Sequence, residues 1–289
     1  MRGVRPRHLR NNVLTTTVDG LWALQVLTGI ETVAPELGLR SHLPSVEPKR
    51  LALGHPVTAE LRDVGVIDES GAVDGTVVEW LTVLSRRDIA LFIQIRMPTV
   101  DDPARVLLAR FAQWWVVMER SADLIRISGI GTASAEESSG SVLTAEIERL
   151  CGHNTPAPLR PVTLDTGAMR AATANREGPQ TFLAGQGIEV DQLRMLTLAA
   201  DLDRSAQASI VALQSGVAVA RSQRTHIDAS AVTIIDTPEG RLVAEDVRSA
   251  GKTWTIVAPG AKSNIAAAIN RMVRRLPAHQ EWHSYRKVV

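Results

Sequence analysis

Cysteine, lysine and tyrosine are the scarce residues of this 289-residue chain: it has one Cys, one Tyr and four Lys, at positions 49, 252, 262 and 287. A lone Cys151 excludes an internal disulfide framework and a multi-cysteine zinc site, and fits a reducing compartment. A net charge is also lacking, because 32 Lys+Arg stand against 31 Asp+Glu and leave +1. Nucleic-acid modules concentrate a basic surplus, so that class is disfavoured. No apolar run approaches the roughly 18 residues of a membrane helix. The basic start MRGVRPRHLRNN is followed by LTTTVDG, not by the apolar stretch of a secretory signal. A cytoplasmic protein is expected, with 45% apolar residues to supply a sizeable core.

What is present is strand periodicity in two sets. Ile89, Leu91, Ile93, Ile95 and Met97 alternate with Ala90, Phe92, Gln94 and Arg96, which predicts a strand with one aliphatic face. MPTVDDPAR reads as a connection, and VLLARFA, WWVVMER and LIRIS as further strands, with a tight reversal over residues 121–123. After a linker GTASAEESSG, a helix is expected with Leu143, Ile147, Leu150 and Cys151 on one face and Gly152 at its stop. The second half repeats the order: AQASIVALQ, ASAVTIIDT, GRLVAEDVR and TWTIVAP are strands, and a helix capped by Ser263 follows with Ile265, Ile269, Met272, Val273 and Leu276 on its stripe.

Shorter helices fill the remainder. Asp19 is read as the cap of LWALQVLTG, Pro56 opens VTAELRDVG, and Asp74 precedes TVVEWLTVLSRR. Residues 165–176 and 179–202 read as helical, broken near Gly185 and Gly187 and restarted by Asp191. Strands and helices grouped in this way predict an α+β fold and disfavour a Rossmann arrangement. Residues 13–289 are read as one domain of two related halves, about 13–155 and 156–289, behind a flexible tail over 1–12.

Motifs that could carry chemistry fail on spacing. GKT at residues 251–253 lacks the first glycine of GxxxxGK[ST], which would fall on Asp246, and it opens a strand where a phosphate loop opens a helix. TIIDTPEG places Gly240 one position late for DxxG and reads as a turn. A nucleotide-dependent hydrolase using the Asp236 and Lys252 regions is the enzyme alternative. The seven histidines offer no HExxH, and the carboxylate pairs Asp101/Asp102 and Glu136/Glu137 read as solvated. Of Trp114 and Trp115, one is expected in the core and the other against a helix layer or a partner. No metal or cofactor is expected, and the chain reads as a binding protein.

Several stretches carry a resemblance: VDGLWALQ at 18–25, VAPELGLR at 33–40, VTIIDTPEGRL at 232–242, and APG at 258–260 followed by LPAHQEWHSYR at 276–286. Together they resemble the EspG family, cytosolic secretion-associated proteins of mycobacterial type VII (ESX) systems. LTTTVDGLW, EWLTVLSRRD, WWVVMER, RLCG and PLRPVT look most like the branch encoded with the second ESX locus. The resemblance runs from about residue 13 to the end. It implies a chaperone or adaptor that binds a PE-PPE heterodimer at the apolar tip of the PPE subunit and keeps it soluble for export. It further implies a pseudo-twofold arrangement of two antiparallel strand sets with flanking helical bundles, contacting the partner through the central sheet, its loops and a C-terminal helical bundle.

By position between strands, the contact falls on two connections. The first, Pro98 to Arg105, contains Thr99, Val100 and Arg105; the second, Ser215 to Asp228, contains Arg221, Arg224, Thr225 and His226. On the helical side Met169, Leu193, Met195 and Leu196 are candidates, of which Met169 and Met195 are taken as contacts and the rest as core. Residues 1–12 carry four arginines without an apolar stripe and have little burial to lose. Deleting them should leave the melting temperature and partner binding unchanged, and a clear drop in either would show that they dock.

Overall fold

The computed structural model describes residues 13–174, 179–219 and 222–287, so the 1–12 segment and Arg221 lie outside the described residues. The chain divides into two units. The first holds the described residues up to Phe92, Ala104–Ser134 and those from Ser284 onward; the second holds Ile93–Pro103 and Ala135–His283.

The first unit begins with β1 (Val13–Thr17) and α1 (Val18–Thr28), followed by a 3-10 turn at Pro35–Leu37. It continues through α2 (Lys49–Gly54), α3 (Pro56–Asp63), α4 (Gly75–Arg86), β2 (Ile89–Arg96, of which the residues from Ile93 on belong to the second unit), β3 (Ala104–Phe111), β4 (Trp114–Ser121) and β5 (Leu124–Thr132). Its strand order is β1-β5-β4-β3-β2, with β1–β5, β3–β4 and β4–β5 all antiparallel. The cap of α1 is Thr17, whose hydroxyl accepts from the Gly20 N–H at 3.1 Å; Asp19 sits inside the first turn. Thr17 ends β1 in extended backbone, and that geometry favours it over the residue two places on. Gly20 is required there, because a Cβ would lie 1.9 Å from Thr16 Oγ1. Asp74 caps α4 as expected, accepting from Thr76 and Val77 N–H.

The second unit runs α5 (Glu136–Cys151), β6 (Val162–Asp165), α6 (Thr166–Ala174), α7 (Pro179–Ala184), α8 (Val190–Ala200) and β7 (Ala206–Val219). Then come β8 (Ser222–Ile227), β9 (Val232–Thr237), β10 (Gly240–Ser249), β11 (Lys252–Pro259), α9 (Lys262–Arg274) and a 3-10 turn at His279–Glu281. The order β7-β9-β10-β11-β6 mirrors that of the first unit, with β8 folded back on β7. In each unit a first strand, separated by helices from a four-strand meander, pairs with the last strand of that meander: β1 with β5, and β6 with β11. Grouped strands and helices in both units make this an α+β fold.

Five further local expectations change. The described residues of 215–228 are mostly strand: β7 runs on to Val219, and β8 from Ser222 to Ile227 returns antiparallel, pairing Gln214 with His226 and Val217 with Arg224. Its Val and Ala residues extend the strand pattern, and Gly216, at φ +73°, takes up the register shift between these pairs. The linker after β5 is shorter, since α5 already starts at Glu136. Helix α9 starts at Lys262 with Ala261 at the cap position, leaving Ser263 in the first turn. Helix α8 is started by Glu189, whose N–H donates to Gln192 Oε1 at 3.2 Å. Glu136 is not simply solvated: it accepts from Arg274 Nε at 2.8 Å and Trp282 Nε1 at 3.4 Å, and these partners hold its carboxyl below its ordinary range. Trp282 is thereby a core residue.

Charge is used inside the first unit. Asp88 and Arg110 are both 0% exposed. Asp88 accepts from Ala112 N–H at 2.9 Å and Lys287 N–H at 3.0 Å, while Arg110 Nη2 donates to Tyr285 O at 2.7 Å. Burial lowers the Arg110 guanidinium to about 10, and the Asp88 charge works against that drop. Near the surface, Glu47 accepts from Leu43 N–H, His42 Nδ1 and Trp22 Nε1, and these bonds lower its carboxyl to about 2.

Two predictions arise here. Asp88→Ala strands the Ala112 and Lys287 amides and leaves Arg110 without its neighbouring carboxylate. It should cost about 3 to 5 kcal/mol, read from urea unfolding, and a loss under about 1 kcal/mol would contradict this account. Cys151, at the C-terminal end of α5, has its thiol pushed up to about 11 by burial. Alkylation by iodoacetamide at pH 8 should therefore run about a hundredfold slower in the folded chain than in urea, and should accelerate as pH rises toward that value. Equal rates would show that the thiol is open.

Candidate partner-binding surface

The nucleotide alternative is tested first by geometry. Asp236 ends β9 and is engaged by Arg241, whose Nε and Nη2 both donate at 2.7 Å. The same guanidinium donates to the carbonyls of Gly152 and Cys151, making a local clamp. Lys252 lies at the other end of the β10–β11 pair, opposite Ser249, 3.8 Å from Asp165 and over the Trp254 ring. Eight strand residues separate position 241 from 249, so the two regions stand roughly 26 Å apart along β10. They do not form one site. Ala250 and Gly251, at φ +50° and +77°, make the hairpin turn of β10 and β11, and Lys252 and Thr253 of GKT open β11. Among the described residues no cluster of His, Cys, Asp and Glu has metal-holding geometry.

The sequence-derived contact residues separate into distinct settings. Thr99 and Val100 are exposed between β2 and β3, beside the exposed Met97, and this connection belongs to the second unit. Arg224, Thr225 and His226 are exposed on β8 in that same unit, next to Ile227 at 58% exposure. Arg105 is different: it begins β3 in the first unit, is half-buried, and donates to Leu37 O at 3.4 Å. Arg120 Nη1 donates to the same carbonyl at 2.7 Å, so Arg105 helps to hold the Pro35–Leu37 turn.

Two of the four helical candidates, Met169 and Leu196, line an apolar groove of about 570 Å³. Met169 of α6, Phe182 and Leu183 of α7, and Leu196 and Ala199 of α8 face strand residues Leu164, Ile235, Ala244 and Val257 across it. Arg170 is the one ionisable residue on its lining. Met169 is half-buried there, whereas Met195 is 2% exposed and packs in the cluster beneath, with the Thr237 hydroxyl 3.9 Å from its sulfur. Helical periodicity marks both as inward-facing, but only strand packing distinguishes the wall of a groove from the core below it. Phe182, Leu183 and Val257 were missed as site residues for the same reason. Their apolar character was legible, and their convergence on one groove was not.

A family model described as the EspG family matches residues 17–271. The ESX-2 secretion-associated protein EspG2 of Mycobacterium tuberculosis is 48% identical over 277 residues, covering 96% of this chain and 100% of that protein. The ESX-5 secretion-associated protein EspG5 of the same species is 26% identical, covering 95% of this chain and 97% of its own length. Among solved structures, the type VII secretion system chaperone EspG5 of M. tuberculosis, in complex with the PE25-PPE41 dimer, superposes with a TM-score of 0.74 at 23% identity, over 94% of this chain and 99% of that one. The paired strand-and-helix units fit that fold, and the extent of the match establishes that the chain belongs to the EspG family.

Proposed function

We infer that this protein is a non-enzymatic adaptor of the cytoplasm that binds a PE-PPE heterodimer through the PPE subunit and keeps it soluble for type VII secretion. The observation that carries this reading is the apolar groove between α6–α8 and the strands of the second unit. An open apolar surface of this kind is matched by an apolar partner tip that would otherwise aggregate. The solved relative bound to PE25-PPE41 supports the choice of partner class. Met169 lines the groove; Thr99, Val100, Arg224, Thr225 and His226 are exposed polar and apolar contacts in the same unit. Neither ATP nor a metal enters the mechanism, because surface complementarity alone supplies the binding. In this reading residues 13–289 act as one domain of two related halves, about 13–155 and 156–289, supported by the strand order the two units share.

Co-expression with the PE-PPE pairs of the source organism, followed by size-exclusion chromatography, tests the proposal. At least one pair should co-elute with the chain. If none does under conditions where the chain folds, while ATP or GTP is bound and turned over, the adaptor reading fails. With a cognate pair in hand, Arg224→Glu should weaken binding by about 1 to 3 kcal/mol, roughly fivefold to 150-fold, without shifting the melt. Unchanged affinity with an unchanged melt removes Arg224 from the contact.

A further inference from the structure

Three of the six tryptophans and one of the three phenylalanines line a single groove of the first unit, about 430 Å³ in volume, where α4 crosses β3, β4 and β5. Successive residues of a regular strand face opposite ways. Trp114 and Trp115 nonetheless share this groove. At this irregular end of the ladder Trp115 pairs with Gly131 and Val116 with Gly129, so Ile130 is an extra residue on β5 and the register shifts opposite Trp115. Gly129 completes the floor, since a Cβ there would lie 2.6 Å from Trp80 Nε1; a side chain at this position would push the indole of α4 off β5. Trp115 and Trp80 are buried, and Trp114, 50% exposed, forms the rim.

The electrostatics of the lining select the guest. Glu79, exposed on α4, is the one ionisable residue among those that line the groove. Its carboxylate makes no ion pair or hydrogen bond among the described residues. Aromatic faces present negative potential to a cation, and a neighbouring carboxylate adds to it while repelling anions. The volume lies in the range of small-molecule sites and is much larger than one lysine or arginine side chain. We propose that this groove is a binding site for a small organic ammonium with an apolar or aromatic body, the body lying among Trp80, Phe111 and Trp115 and the charge between Trp114 and Glu79. None of these residues is among those assigned to the PE-PPE contact, so the site is a second function of the chain.

Calorimetric and tryptophan-fluorescence titrations with benzyltrimethylammonium, benzyl alcohol and benzoate vary the charge on a common ring. The cation should bind saturably and at least about tenfold more tightly than the alcohol, with no binding of benzoate. Glu79→Gln, on an exposed helix face, should keep the melting curve and bring the cation down to the affinity of the alcohol, while Trp114→Ala should weaken both and reduce the fluorescence change to that of Trp80 and Trp115. No saturable binding of the cation at millimolar concentration overturns the proposal. So does equal binding of all three probes, or a Glu79→Gln variant that holds the cation as tightly as the parent.

Discussion

Each unit of this fold depends on one long-range antiparallel pairing. Val13 meets Ser128 across 115 positions, and Asp165 meets Trp254 across 89. The entropy of closing such loops grows only logarithmically with their length, so several helices can be inserted between a first strand and the strand it joins. Once the pairing is made, those helices have no choice but to pack on the strands that bracket them. In the second unit, α6, α7 and α8 are enclosed in this way, and their imperfect fit to β9, β10 and β11 is the apolar groove.

The interior charges follow from the same closure. Asp88 and Arg110 meet backbone from the C-terminal residues: the amide of Lys287 donates to the carboxylate and the guanidinium donates to the carbonyl of Tyr285. A buried carboxylate and guanidinium are tolerable because these partners are main-chain groups fixed by the fold, which lose little entropy in meeting them. Arg241 does similar work in the second unit, joining the β9–β10 turn to the end of α5 through Asp236 and two carbonyls. What looked in the sequence like part of a nucleotide motif is thus a joint between secondary-structure elements.

A binding surface is assembled from residues that individually look like core or loop, so no compact motif announces it in the sequence. Met169 and Met195 have the same helical periodicity, yet one lines a groove and the other lies beneath it. Arg105 and Arg224 both flank connections in the sequence, yet the first holds a turn through the Leu37 carbonyl while the second is exposed on a strand. Trp114 and Trp115 were separable into one core residue and one set against a helix layer or a partner, but only the packing of α4 on the irregular end of the β4–β5 ladder makes both line one groove.

By itself the sequence determined the α+β class, the two strand sets, the position of nearly every helix and, through ordered stretches such as VDGLWALQ and LPAHQEWHSYR, the family. These are properties of local periodicity, capping chemistry and residue order, and they need no knowledge of what lies across the core. Tertiary structure alone decided that β7 runs on to Val219 and that β8 (Ser222–Ile227) pairs back on it, that Glu136 and Trp282 meet, and where the two apolar grooves open. Register shifts, buried-charge partners and grooves are set by pairs of segments far apart in the chain, and no single segment encodes the shape of its neighbour.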